Sequence, residues 1–301
     1  MRIGGFHVNK FCLVLLVLVF GFGISFSGCG TTDISDVVGT DYFNLSGVVL
    51  DNNDEGIEGV TIKITGDFGS KETETDEDGA WEKEDLEGVV TVTPEKDGFI
   101  FLPDKKIVDE ESLILFDAAV LLVIDETPNK DTYISHFDPD DNYSKSSSLY
   151  LKVFEDFPRM ITLLGFNELE SIPESATILE AYIELFVMET LNAPFDISLG
   201  YITSPWVENE VTWNNPPSLT ILEGANYKVE ENLEGSMWKI PITEELQAIL
   251  NKLRIDKPSL HGLFFEVNNY MYKKVEFASS IHKFHPIPKL YVEYVPYKID
   301  L

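Results

Sequence analysis

Thiols are nearly absent from this chain. Its 301 residues include two cysteines, Cys12 and Cys29, too few for a disulfide framework or a four-thiolate zinc site. Bases are scarce as well: 22 Lys and Arg stand against 52 Asp and Glu, a formal charge of −30. Binding to nucleic acid rests on neutralising phosphates with Lys and Arg, so this balance excludes it. The same balance argues against electrostatic adhesion to anionic lipid. Past the N-terminus, no apolar run is long enough to span a bilayer. The run at residues 113–124 is too short and Asp117 interrupts it. There is no G-x-S-x-G elbow, no H-E-x-x-H and no phosphate-binding loop. Nothing singles out a pair of carboxylates for glycoside hydrolysis, so the chain reads as non-catalytic. Internal repeats and low-complexity segments are also missing. The acid excess reads first as solubility, and second as an affinity for calcium as a structural ion.

What is present begins with a three-part N-terminus. Arg2 and Lys10 supply positive charge, residues 11–22 are apolar apart from Gly21, and small residues surround Ser27-Gly28-Cys29. A short apolar core between basic and small residues is a secretion signal. The stretch resembles the lipobox of bacterial lipoproteins, with Phe26 where Leu is usual. The resemblance implies cleavage before Cys29, diacylglycerol on the Cys29 thiol and a fatty acid such as palmitate on its new amino group. Several acyl chains anchor firmly, since each buried methylene contributes roughly 0.8 kcal/mol. The expected organisation is a signal peptide at 1–28, a lipidated tether at 29–41, and two β domains at 42–126 and 129–296. Without residues 1–28 the body carries −32, divided as 6 bases against 26 acids over 33–128 and 13 against 25 over 129–295.

In the first domain Val60, Ile62 and Ile64 alternate with Thr61, Lys63 and Thr65, the period of a half-buried strand. The apolar run at 113–124 offers a final strand region. Asp- and Gly-rich turns at 51–56 and 76–79 separate short strands, which predicts a small β-sandwich. Ser46-Gly47-Val48-Val49, Ile57-Glu58-Gly59-Val60, Thr75-Asp76-Glu77-Asp78-Gly79-Ala80-Trp81 and Lys96-Asp97-Gly98-Phe99 follow in the order of carboxypeptidase-regulatory-like (transthyretin-like) domains. The resemblance implies a seven-stranded spacer or stalk without catalytic residues. The turns at Asp51-x-Asn53-x-Glu55-Gly56 and Glu74-x-Asp76-x-Asp78-Gly79 echo the start of calcium loops. Ile62 stands where the first would need a bidentate Glu, and neither has a flanking helix. Both read as hairpin turns.

The second domain predicts many strands and one helix. Thr243 could cap that helix, and Leu246, Ile249, Leu250 and Leu253 share one face. Two packed antiparallel sheets, a jelly-roll sandwich with one short helix, follow from this pattern. The overall expectation is an all-β chain. Asp131-Thr132-Tyr133-Ile134, Asn142-Tyr143, Thr203-Ser204-Pro205-Trp206-Val207-Glu208 through Trp213-Asn214-Asn215-Pro216, and Phe277-Ala278-Ser279-Ser280 together resemble a DNRLRE-type domain. That family is similar to carbohydrate-binding modules found beside polysaccharide lyases, alginate lyases among them. Where its strand usually carries a second basic residue this chain has Gly165, a departure that speaks against binding uronates.

Sugars are held by aromatic faces with polar groups around them. Trp206 and Trp213 lie in the family motif, where packing in the core competes with stacking on a ligand. The segment Asn268-Asn269-Tyr270-Met271-Tyr272-Lys273-Lys274 reads as a loop with two aromatics, two amides and two ammonium groups. Its ligand-binding candidates are Tyr270, Tyr272, Lys273 and Lys274, with Trp206 and with Arg159 and Lys283 as added charge. A hairpin tip that shields a sheet edge fits the same segment. His282 and His285 could bind a metal with a carboxylate, although Pro286 and Pro288 favour a loop with incidental histidines, and no metal site is assigned. The expected partners are a membrane through the lipid, and a polysaccharide or a protein of the cell envelope. The expected function is a cell-surface lipoprotein that presents a polysaccharide-binding jelly roll. Structural or adhesive service in the envelope is the alternative, as is an accessory role beside polysaccharide-degrading enzymes. With no Asp after Cys29, the outer membrane or cell surface is the expected location.

Overall fold

The computed structural model describes residues 42–154, 159–256, 259–268 and 271–298. The signal peptide, the tether with Cys29, and Tyr270 lie outside the described residues.

The fold is all-β. The first sandwich packs two four-stranded sheets face to face. One sheet runs β4 (Ala80–Glu87), β1 (Tyr42–Leu50), β8 (Ser112–Val120), β6 (Phe99–Leu102). The other runs β3 (Gly69–Glu74), β2 (Thr61–Gly66), β5 (Val90–Glu95), β7 (Lys106–Val108). Alternation makes these strands: Ile62 and Ile64 are fully buried while Thr61, Lys63 and Thr65 are only partly covered. Leu45, Ile62, Ile64, Trp81, Leu86, Ile114 and Phe116 fill the space between the sheets. There are eight strands rather than seven, because the short β7 adds an edge to β5. The two acidic turns use their carboxylates on their own backbone. Asp51 Oδ1 accepts the N–H groups of Asn53 at 2.8 Å and Glu55 at 2.9 Å. The Glu55 N–H, and after it the groups of Asn53, hold the Asp51 carboxyl below its ordinary range. Asp76 Oδ1 accepts the N–H groups of Asp78 and Ala80 in the same way. These are turns locked by side chain to backbone bonds.

Strands β1 and β8 are parallel neighbours, with Leu45 opposite Ser112 and Leu50 opposite Asp117. The chain therefore enters this sandwich at one end and leaves it at the other. Residues 113–124 are not one strand. They split at Leu121, whose N–H donates to Gly98 O at 2.9 Å, and β9 (Leu122–Glu126) then pairs with β19 (Lys289–Val295) of the next sheet. The Tyr297 hydroxyl donates back to Ala118 O at 3.2 Å.

The second body is an 11-stranded antiparallel sheet that curls over on itself. Its main order is β15 (Leu219–Val229), β14 (Phe195–Ile202), β17 (Gly262–Val267), β12 (Arg159–Gly165), β11 (Ser148–Val153), β18 (Lys273–Ala278), β13 (Thr177–Leu191), β19, β9. β10 (Lys130–Ser135) adds to β12, and β16 (Ser236–Pro241) to β13. The inner faces bury one apolar core from Ile124 to Tyr294. Helix α1 (Thr243–Asp256) closes one side with Leu246, Ile249, Leu250 and Leu253, the face its sequence predicts. Thr243 differs from the expected cap. Its Oγ1 accepts the Ala181 N–H at 2.9 Å and donates to Ala181 O. Gln247 likewise accepts the Ile178 N–H at 2.8 Å. β13 is irregular between Ile178 and Glu180, and the helix supplies bonding partners there. No helix among the described residues is long and apolar enough to cross a membrane.

Candidate functional site

Three connections meet at one end of the curled sheet: β11 to β12, β13 to β14, and β17 to β18. Asn192, at the β13–β14 turn, holds the last of them. Its Nδ2 donates to Tyr272 O at 2.8 Å, and its carbonyl accepts the Lys273 ammonium. Positive φ at Asn192 (58°) makes this turn, a conformation Asn tolerates better than most residues.

Around this anchor an aromatic cluster forms. Lys152 Nζ lies 5.1 Å from the Phe137 ring centroid and 5.6 Å from that of Tyr272. Phe154 meets Tyr272 edge to face at 5.3 Å. Phe137 and Phe154 are exposed at 38% and 44%, enough to offer ring surface to a ligand. On β11 and β18 the register sets Lys152 opposite Lys274 and Tyr150 opposite Glu276. These four share the face away from the core, because Leu149, Leu151, Val275 and Phe277 between them are buried. Two like charges directly opposite repel, and the repulsion is relieved on one side only. Lys274 pairs with Glu189 at 2.7 Å and with Glu276 at 2.9 Å. Burial opposes its charge, but these carboxylates outweigh it and hold the ammonium above its ordinary range. Lys152 makes no ion pair among the described residues, and ring faces surround it. A further run of rings adjoins: Tyr133 stacks on Tyr143 at 4.2 Å and meets Tyr150 edge-on at 5.1 Å.

The sequence candidates therefore separate. Tyr272 is in the cluster. Lys273 is held by Asn192, and Lys274 by two carboxylates. Arg159 pairs with Glu266 at 3.5 Å. Lys283 sits in the loop after β18, beyond the opposite end of that strand from Lys273. Phe137, Lys152 and Phe154 were not singled out by the sequence. Phe137 stands two residues past β10, far along the chain from Tyr272, and no local pattern joins them.

Trp206 lies elsewhere, beside His261 at the other end of β17. It is buried at 7% exposure, its indole N–H donates to His261 O at 3.1 Å, and Lys130 Nζ sits 4.6 Å above its ring. It packs with Ile134, Leu163, Ile202, Val211 and Phe264 as a small second core. The residues around it that carry the family resemblance act as pins. Asp131 is 3% exposed and accepts the N–H of Ser280 at 2.7 Å and its hydroxyl proton. Burial pushes the Asp131 carboxyl up, against the pull of Ser280. Glu208 accepts the Asp131 N–H at 2.8 Å, and Asn142 donates to the carbonyls of Glu208 and Val211, each at 2.8 Å. Gly165 is covered by the stem of Lys130: a Cβ there would lie 2.5 Å from Lys130 Cε. A base thus stands over the position, supplied by the neighbouring strand. His282 Nδ1 accepts the N–H groups of Phe284 and His285, and His285 stacks on Phe186 at 4.4 Å. Among the described residues no three metal-binding side chains converge.

Comparison with known proteins bears on the second body. No curated protein matches the chain. Among solved structures, the full-length major pilin SpaD from Corynebacterium diphtheriae is 12% identical, with TM-score 0.29, over 86% of this chain and 57% of its own. BcpA, the major pilin subunit of Bacillus cereus, is 10% identical, with TM-score 0.31, over 84% of this chain and 64% of its own. This chain thus spans about three fifths of those pilins. A DUF3823 family protein from Bacteroides ovatus is 10% identical, with TM-score 0.22, over 79% and 97%. Residues 123–254, which hold β9 to β16 and nearly all of α1, match the model of carbohydrate-binding module family 96.

Proposed function

We propose that this chain is a non-catalytic lipoprotein of the cell surface, anchored through Cys29, that holds polysaccharide with the end of its curled sheet. The match to a carbohydrate-binding module supports the ligand class. The observation that carries the site is the ring cluster of exposed Phe137 and Phe154 with half-buried Tyr272, stiffened by Lys152. Rings fixed in this way give up little conformational entropy when a sugar lies against them. The first sandwich serves as the stalk. Its parallel β1 and β8 bring the chain in at one end and pass it to the second body at the other, the length of a nine-residue strand away, roughly 30 Å, which supports a spacer role.

The test is a glycan array probed with the secreted Cys29→Ser chain, followed by calorimetry on the hits. Saturable binding that Tyr272→Ala or Phe154→Ala weakens about tenfold, some 1.4 kcal/mol, is expected. Silence across neutral and acidic glycans, or hits indifferent to all three rings, would reject the site. Mass spectrometry of the cell-envelope protein checks the anchor: an unmodified Cys29, or a retained leader, rejects it.

A further inference from the structure

The opposite side of the same loop end carries a different chemistry. Across β15, β14 and β17 the register aligns Asn226, Ser198 and Glu266 directly. They point away from the core, because Ile197, Leu199, Phe265 and Val267 between them are buried in it. Asn268 follows β17, its N–H bonded to Asp196 O, and Arg159 reaches in from β12 to Glu266. Further along this face Gly200 and Phe264 lie under the Trp206 core. The polar row is what that apolar cover leaves.

Its hydrogen bonding is unfinished within the protein. The Ser198 hydroxyl has one proton, yet Asn226 Oδ1 lies at 2.9 Å and Asn268 Oδ1 at 2.6 Å. Asn268 Nδ2 also donates to Asn226 Oδ1. One amide oxygen thus gathers the bonds, and the two N–H donors of Asn226 have no acceptor among the described residues. Glu266 is 7% exposed, and one of its oxygens meets Arg159 at the long distance of 3.5 Å. A carboxylate this buried is normally bonded on both oxygens. The row is also close to charge balance. Arg159 and Lys228 stand against Glu266, Asp196 and Glu230, the last paired with Lys228 at 2.9 Å, so the row holds little of the −30 that the chain carries.

From these observations we propose that Asn226, Asn268, Ser198, Glu266 and Arg159 form a second glycan contact that recognises the hydroxyl groups of a neutral sugar residue. A sugar hydroxyl donates and accepts at once. It can give its proton to Glu266 while taking one from Asn226 or Arg159, which completes the row. An anion would meet the Glu266 carboxylate, and an apolar partner would leave the Asn226 donors and Glu266 unbonded. Two contacts on either side of one loop end let a single chain bridge several sugar residues. The inference rests on the glycan-binding reading above and extends it to a second surface.

The probes are soluble β-1,4-glucan, β-1,4-mannan and β-1,4-xylan hexasaccharides and oligouronates, titrated into the secreted Cys29→Ser chain. Asn226→Ala tests an exposed position that folding does not need, and Glu266→Gln tests the floor. Tenfold or greater loss of affinity for a neutral hexasaccharide in both, with native circular dichroism, is the expected result. The side-chain amide resonances of Asn226 and Asn268 should shift on titration of the parent chain. If a neutral hexasaccharide binds and Tyr272→Ala weakens it while Asn226→Ala does not, this second contact is wrong and the ring site stands. If only oligouronates bind, the neutral class is wrong. If nothing binds, both readings fall together.

Discussion

Replacing Asp131 by alanine removes the acceptor that ties β10 to the segment after β18. Two donors lose their partner: the Ser280 N–H at 2.7 Å and the Ser280 hydroxyl. The hydroxyl can rotate, but the half-buried backbone N–H stays in place. An orphaned buried donor costs about 1–3 kcal/mol, and bonds to a charged group lie at the strong end. Removing a buried carboxylate also relieves its desolvation, the same effect that pushes its pKa up. The net expectation is a loss of about 2–3 kcal/mol for Asp131→Ala. Asp131→Asn, which keeps an oxygen facing Ser280, should lose about half as much. For a body of this size the alanine variant's loss is a fall in Tm of about 4–12 °C. Urea unfolding followed by tryptophan fluorescence and by far-ultraviolet circular dichroism would measure it. A loss below about 0.5 kcal/mol for the alanine variant would show that the motif residue does not pin the loop, and the structural reading of the family motif would fail with it.

The first sandwich gives a contrasting case. Trp81 is 4% exposed and its indole N–H has no partner among the described residues, so Trp81→Phe trades lost packing against a removed orphan donor. Denaturation should place the variant within about 1 kcal/mol of the parent, and a loss above 2 would contradict the reading. Glu266 predicts a pH effect. Burial raises its pKa, and Arg159 only partly offsets this. A carboxyl raised in the folded state adds stability that is present below its unfolded value and is lost as pH rises through the folded one. The parent should therefore gain stability relative to Glu266→Gln as pH falls from neutral toward the ordinary carboxylate range. A difference that is flat, or that slopes the other way, refutes the burial argument.

Much of the fold is written in short-range patterns. Alternation at 60–65 and the apolar stripe of residues 246–253 needed no tertiary information, since each reports one face against one core. The break at Leu121 was not legible in the same way. Residues 113–124 are apolar apart from Asp117, nothing in them marks Leu121, and only the pairing of β8 with β1 and of β9 with β19 divides them. Thr243 looked like a cap because the residue type and position fit, yet an irregular strand nearby offered its hydroxyl stronger partners. At the candidate site, Tyr272 stood out because polar and aromatic residues crowd its loop. Lys152 is one polar residue in an ordinary alternating strand, and its partners arrive from just after β10 and just before β18. Glu266 did carry a readable signal: a single carboxylate inside Gly262-Leu263-Phe264-Phe265-Glu266-Val267, a strand buried along its whole length. A lone charge in such a run has to be matched by something, and Arg159 alone matches it incompletely.

The junction between the two bodies bears on how the proposed anchor and site would work together. A flexible linker would let the binding body sample many orientations. Here one residue separates β8 from β9, its N–H is bonded, and Tyr297 adds a bond back to Ala118. Twelve residues, 30–41, stand between Cys29 and the first strand, and a chain of that length reaches at most about 40 Å when extended. Deleting residues 31–40 should leave affinity for soluble oligosaccharide unchanged, because no residue of either contact is touched. On intact cells the same deletion should lower capture of a high-molecular-weight polysaccharide, since the site could no longer clear neighbouring surface material. Insertion of a ten-residue Gly/Ser segment in place of 31–40 should restore capture, because reach and not sequence is what the tether provides. Equal capture by the deletion and the parent would mean that the stalk alone gives sufficient clearance, or that Cys29 is not the point of attachment. Labelling with a radioactive fatty acid then decides between those two.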